Sequence, residues 1–129
     1  WKIVTNIKPE KKHIKAMKLG WKIVKYVKSN AIVIANEHQI LGVGAGQMSR
    51  VDSVKIAIQK SIENGFDLKN AVLASDAFFP FSDSIELASK HGINHFIQPG
   101  GSIRDKDSIL VADKAKVKMI FTGTRHFNH

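Results

Sequence analysis

The stretch from Ala71 to Ser84 invites chemistry, and Asp76 is its first carboxylate. That residue follows Ala71-Val72-Leu73-Ala74-Ser75, an apolar run long enough only for a buried strand, so its carboxylate should stand at a strand end. Phe78, Phe79, Pro80 and Phe81 come next. Ser82, Asp83 and Ser84 are all suitable N-caps for a helix from about Ser84 to His91, which Gly92 would stop. Strand, aromatic loop and helix N-terminus in that order suit a ligand, because parallel α/β sheets bind ligands beyond the carboxyl ends of their strands. A flat heterocycle could lie against the phenylalanines while Asp83 or the helix N-terminus meets its polar edge. The competing reading makes Phe78, Phe79 and Phe81 core plugs. Pro80 and Asp83 interrupt them, so not all three can easily point inward.

Two arginines fit the same picture. Arg50 opens a capped helix and could reach an anion at that helix N-terminus. Arg125 lies beyond the last strand. Guanidinium binds phosphate and carboxylate bidentately, so the pair suits a ligand of that kind. Gly42-Val43-Gly44-Ala45-Gly46 does not complete a dinucleotide fingerprint, since the sixth position is Gln47. Those glycines are better read as making room for a ligand or a neighbouring backbone. Among the six histidines, His13, His38 and His91 read as solvated and His95 as structural, while His126 and His129 share the tail with Arg125. There is no cysteine, hence no disulfide and no thiolate zinc site. Zinc-dependent base deamination needs a Pro-Cys-x-x-Cys segment and is excluded on that ground.

These residues must be positioned by the elements between them. Thr5 or Asn6 can cap a helix with Pro9 in its first turn, and Ile14, Met17, Trp21, Val24 and Val27 recur on one face of it. Gly20 should weaken its middle by about 1 kcal/mol relative to alanine. Strands follow at Ala31–Ala35 and Ile40–Gly44, and Ser49 with Asp52 starts a helix over about Arg50–Glu63. The Asp76 unit comes next. Then Ile93–Ile97 is a strand, Asp105 or Asp107 caps a helix to about Lys116, and Val117–Phe121 is the last strand. The order α, β, β, α, β, α, β, α, β predicts one domain over residues 1–129, with a mostly parallel sheet covered by helices on both faces. Ser75-Asp76, Gln98 to Ser102 and Thr122 to His129 should then share one sheet edge.

The 129 residues carry 43% hydrophobic side chains, enough for a proper core, and a net charge of +9. Residues 1–28 hold nine lysines and one glutamate, so the charge belongs to the first helix. A solvated lysine face is the simpler reading. The alternative is a small nucleic-acid-binding module, which salt between about 50 and 200 mM would weaken steeply. No apolar run approaches the roughly 20 residues that span a bilayer. A cytoplasmic location is expected, and the abrupt Trp1-Lys2-Ile3-Val4 start suggests part of a longer protein.

Five motifs occur in order: Ser29-Asn30-Ala31, Gly44-Ala45-Gly46-Gln47-Met48-Ser49-Arg50, Ser75-Asp76-Ala77-Phe78-Phe79-Pro80-Phe81, Gln98-Pro99-Gly100-Gly101-Ser102 and Arg125-His126-Phe127. Together they resemble the C-terminal part of the bifunctional AICAR transformylase/IMP cyclohydrolase family of purine biosynthesis. The resemblance implies a three-layer α/β/α, cytidine-deaminase-like fold without zinc. It implies formyl transfer from 10-formyltetrahydrofolate to aminoimidazole carboxamide ribotide. By the same resemblance, Asn30 contacts the reacting end of the nucleotide and the formyl group, Arg50 and Arg125 bind the nucleotide, and Phe78 lines the cleft. Val51, Asp83, Ser102 and Ile103 contact the folate, His129 lies near the site, and Asp76 matches a carboxylate that helps hold a structural potassium ion in some members. The family's catalytic lysine–histidine pair has no counterpart here, so the chain alone is expected to be inactive. The family is homodimeric and implies neither a nucleic-acid nor a membrane partner. Ser82 stands where the family usually has arginine, and Asn128 replaces a residue that is often basic.

Overall fold

The computed structural model describes residues 1–78 and 82–125. In chain order the elements are β1 (Lys2–Ile3), α1 (Lys11–Val24), β2 (Ile32–Ala35), β3 (Ile40–Gly44), α2 (Arg50–Glu63), β4 (Val72–Ser75), α3 (Ser82–Lys90), β5 (His95–Gln98), α4 (Asp105–Lys114) and β6 (Lys118–Phe121). The strands form one sheet in the order β1-β6-β5-β4-β2-β3. β4, β5 and β6 pair in parallel, while β2 is antiparallel to both β3 and β4, and β1 is antiparallel to β6. Four strands therefore run one way and two the other. The sequence reading has no counterpart of β1, whose two residues are too few to show alternation.

Every residue of β2, β4 and β5 is buried, because helices cover both faces. Side chains alternate across a strand. Ile32 and Ile34 therefore join Leu73, Phe96 and Met119 under α2, α3 and α4. Val33 and Ala35 join Val72, Ala74, Ile97 and Ile120 under Ala16, Met17 and Val24 of α1. Gly20 does more than weaken α1. It is buried, and a Cβ there would approach the Ala74 Cβ to 3.2 Å, so its absence lets the helix lie close on β4. On the other face, a Cβ on Gly42 would fall 2.3 Å from the Ala57 carbonyl oxygen. One on Gly44 would fall 1.8 Å from that of Ser53. The expected close backbone approach is thus that of α2.

Several local expectations change. α1 begins at Lys11, with Glu10 at the N-cap position, and Thr5 caps nothing. The Thr5 hydroxyl instead accepts the Met119 N–H at 3.0 Å and donates to the Ile7 carbonyl at 2.9 Å, tying the leading segment to β6. Asp105 is the first residue of α4, and its carboxylate accepts the N–H groups of Gly101 and Ser102 at 2.8 and 3.0 Å. Tyr26, beyond the end of the helix, is exposed, with the Lys25 ammonium 5.1 Å from its ring. Lys11, Lys12, Lys15, Lys18 and Lys22 face outward, as a solvated helix face requires.

His13 is not solvated. It is buried under α1 and stacks on His95, with ring centroids 3.6 Å apart and planes within 13°. Burial lowers the pKa of both imidazoles, reinforced at His95 by His13, Lys118 and Lys12, and His95 is pushed down to about 3. The folded state therefore prefers both rings neutral. Its stability from this pair is complete above the unfolded histidine pKa of about 6.5 and is lost as pH falls from there towards 3. Urea midpoints should drop across that window in the wild type. They should drop less in a His13→Phe, His95→Phe variant, which keeps the stack without the titration. Equal slopes would exclude the pair as the cause.

Candidate functional site

The antiparallel pairing of β2 with β4 decides the local geometry. Ile32 lies opposite Ser75, so the start of β2 meets the carboxyl end of β4. There the Asp76 N–H donates to the Ala31 carbonyl at 3.3 Å, and the Ala31 N–H donates to Asp76 Oδ1 at 3.2 Å. Ser49 accepts the Asp52 N–H at 3.2 Å and so caps α2, as its sequence predicts. That places Arg50 over the same strand ends.

Arg50 and Asp76 form an ion pair, with side chains only 11% and 1% exposed. Arg50 Nη1 donates to Asp76 Oδ1 and also approaches Ser75 Oγ at 3.3 Å. Its Nη2 donates to Asn30 Oδ1 at 2.7 Å. Asn30 Nδ2 in turn donates to the Gln47 carbonyl at 3.0 Å. The Ser29 hydroxyl donates to Asp76 Oδ2, and that of Ser53 to the Asn30 carbonyl at 2.6 Å. The result is a continuous polar network at the carboxyl edge of the sheet. Ser29, Ser53 and Gln47 carry part of it. Ser29 enters the sequence reading only through the Ser29-Asn30-Ala31 motif, and Ser53 carries no signal of its own there.

The other two strand ends lie in register with this one. Ile97 is level with Ala74, Gln98 with Phe121, and the Thr122 N–H donates to the Gln98 carbonyl at 2.9 Å. Asp76, Gln98 and Thr122 thus share one edge. Gln98 is itself buried, with its amide 3.3 Å from Met119 Sδ. Gly100 has φ +70, and a Cβ there would strike the Phe121 ring at 2.5 Å, which shapes the following loop around that ring.

Asn30, Arg50 and Asp76 are therefore brought together, with Val51 half-buried one residue on. Phe78 is half-buried and packs against the core of the α2 face. Asp83 is exposed in the first turn of α3. Ser102 is half-buried, and its Oγ accepts the Arg104 N–H at 3.1 Å. Ile103 is fully exposed, and Arg125 lies exposed past β6. His129 lies outside the described residues, as do Phe79, Pro80, Phe81, His126 and Phe127. A groove of about 690 Å³ between α3 and α4, lined by Ile85, Val111 and Ala115 among others, belongs to the helix face and not to this edge.

The family model of the AICARFT/IMPCHase bienzyme matches residues 1–60. The bifunctional purine biosynthesis protein PurH of Lactobacillus acidophilus is 58% identical over 129 residues, all of this chain and 25% of the relative. The chain is similar to these bienzymes over its full length. PurH of Staphylococcus carnosus is 55% identical over 99% of the chain, and that of Caldicellulosiruptor bescii 57% over 98%. The chain spans about a quarter of the length of these bienzymes. In structure it is similar to a diaminohydroxyphosphoribosylaminopyrimidine deaminase/5-amino-6-(5-phosphoribosylamino)uracil reductase from Thermotoga maritima. That similarity has a TM-score of 0.53 and 16% identity, and covers 84% of this chain and 36% of that one. It supports a deaminase-like α/β fold for this chain.

Potassium at Asp76, implied by the resemblance, does not fit the donor set. Asp76 accepts hydrogen bonds from Ser29, Ala31 and Arg50, and a cation there would have to share the carboxylate with the guanidinium.

Proposed function

We propose that the chain is the C-terminal part of the bienzyme's transformylase region and takes part in moving a formyl group from 10-formyltetrahydrofolate to aminoimidazole carboxamide ribotide, in IMP biosynthesis. The observation that carries this reading is the Asn30 amide, fixed by Arg50 and the Gln47 carbonyl at the carboxyl edge. In the proposed reaction the 5-amino nitrogen attacks the formyl carbon. A C–N bond forms and the carbonyl electron pair moves to oxygen. The tetrahedral oxyanion then collapses, the bond to folate N10 breaks, N10 takes up a proton, and the amine has lost one to a base. An amide N–H such as that of Asn30 can stabilise the oxyanion as it develops.

In the same proposal Arg50 and Arg125 hold the nucleotide, Phe78 lines its cleft, and Val51, Asp83, Ser102 and Ile103 meet the folate. The acceptor amine is conjugated with the imidazole carboxamide, so proton removal must accompany attack. General-base help of that kind is typically worth about 10²–10⁴ in rate. We assign it to a lysine–histidine pair outside this chain. The whole protein would be cytoplasmic and homodimeric, with no nucleic-acid or membrane partner. No helix among the described residues is long and apolar enough to cross a membrane.

A formyl-transfer assay tests the proposal. In the full-length protein Asn30→Ala should lower kcat by about 10²–10³, the range for loss of one oxyanion donor. The 129-residue chain alone should stay more than tenfold below the full-length control. Unchanged kcat in the variant would remove Asn30 from the transition state, and near-control turnover by the chain alone would show that the base has been misplaced.

A further inference from the structure

An asparagine amide can face a ligand with its carbonyl or with its N–H, and only the N–H helps an oxyanion. At Asn30 the choice is forced from two sides. Arg50 Nη2, which can only donate, lies 2.7 Å from Asn30 Oδ1. The Gln47 carbonyl, which can only accept, lies 3.0 Å from Nδ2. Turning the amide over would set donor against donor and carbonyl against carbonyl. Nδ2 has two protons, and Gln47 takes one.

Arg50 can enforce this only if its guanidinium is itself held. Asp76 holds it through Oδ1, and the Ser75 hydroxyl and the Ala31 carbonyl lie 3.3 and 3.5 Å from the same Nη1. Asp76 is held in turn by the Ser29 hydroxyl and the Ala31 N–H. A carboxylate that is 1% exposed and accepts bonds from Ser29, Ala31 and Arg50 is placed to orient rather than to react. We propose that Asp76 is a positioning residue for formyl transfer: acting through Arg50, it fixes the Asn30 amide with its N–H available at the ligand edge. The inference rests on the formyltransferase reading above, but the orientation of the amide can be tested without it.

The decisive readout is a double-mutant cycle on kcat in the full-length protein, with Asp76→Asn, Asn30→Ala and the pair. A merely structural loss would recur in both backgrounds. A loss that passes through Asn30 should vanish once Asn30 is gone. We expect Asp76→Asn to lower kcat at least thirtyfold in the wild-type background and less than threefold in the Asn30→Ala background. If Asp76→Asn does not fold, Ser29→Ala replaces it in the same cycle, because it removes one bond from the carboxylate and leaves its charge. For Ser29→Ala a smaller loss, about threefold to tenfold, should likewise disappear in the Asn30→Ala background.

A second arm uses the 129-residue chain. In nuclear magnetic resonance spectra the Nδ2 protons of Asn30 should give a nuclear Overhauser contact to the Gln47–Met48 backbone, and Asp76→Asn or Ser29→Ala should weaken it. Equal losses in both backgrounds, or an unchanged Asn30 contact in the folded variant, would overturn the proposal. If the wild-type protein transfers no formyl group, the functional reading fails by itself, and the spectroscopic arm still decides whether Asp76 orients Asn30.

Discussion

Asp76→Ala should destabilise the chain by about 3–5 kcal/mol, the usual cost of removing one partner from a buried ion pair. The size follows from what remains behind. Arg50 is 11% exposed, so its guanidinium would stay largely out of water with only neutral oxygens beside it. Ser29 and the Ala31 N–H would lose their acceptor as well. Both belong to the junction between β2 and β4, so the damage should reach the ladder itself. Urea unfolding at pH 7, followed by circular dichroism, measures the loss. A change below about 1 kcal/mol, the value for an exposed pair, would mean that water reaches Arg50 freely.

Gly44→Ala should cost at least as much as the roughly 1–3 kcal/mol typical of overpacking. The new methyl would sit 1.8 Å from the Ser53 carbonyl oxygen, which is helix backbone and cannot swing aside. α2 would have to lift from β3, and Arg50 and Ser53 would move with it. Gly65→Ala is the control. Its φ is +79 and nothing lies within 4 Å of the added Cβ, so only the left-handed backbone penalty of roughly 1–2 kcal/mol applies. Equal losses at the two positions would show that the close approach of α2 does not matter.

Much of this arrangement was legible in the sequence because it depends on local signals. The apolar runs at β2, β4 and β5 and the Ser49 cap of α2 mark their elements, and Asp76 stands at the strand end that its position implies. The shared edge of Asp76, Gln98 and Thr122 follows from parallel β-α-β order alone. What stayed hidden depends on long-range pairing. Nothing in the hairpin sequence says which of its strands joins β4. It is β2, antiparallel, that brings Asn30 to Asp76. Arg50 gains a contact for the same reason: read alone, it is an anion ligand, and in the fold it also has a buried carboxylate partner. His13 reads as a surface residue because lysines flank it, yet its position on α1 falls over His95. Thr5 resembles a helix cap, but its hydroxyl meets a strand far away in sequence.

The Asn30–Arg50–Asp76 edge is the proposed seat of the ribotide. Backbone amide shifts of the ¹⁵N-labelled chain, titrated with aminoimidazole carboxamide ribotide, test it most directly. Perturbations are expected at Asn30–Ala31, Gln47–Val51 and Ser75–Phe78, with Asn36–Gln39 and Lys69–Asn70 at the opposite sheet edge unmoved. Perturbations confined to the lysines of α1, with the Asn30 edge silent, would contradict it.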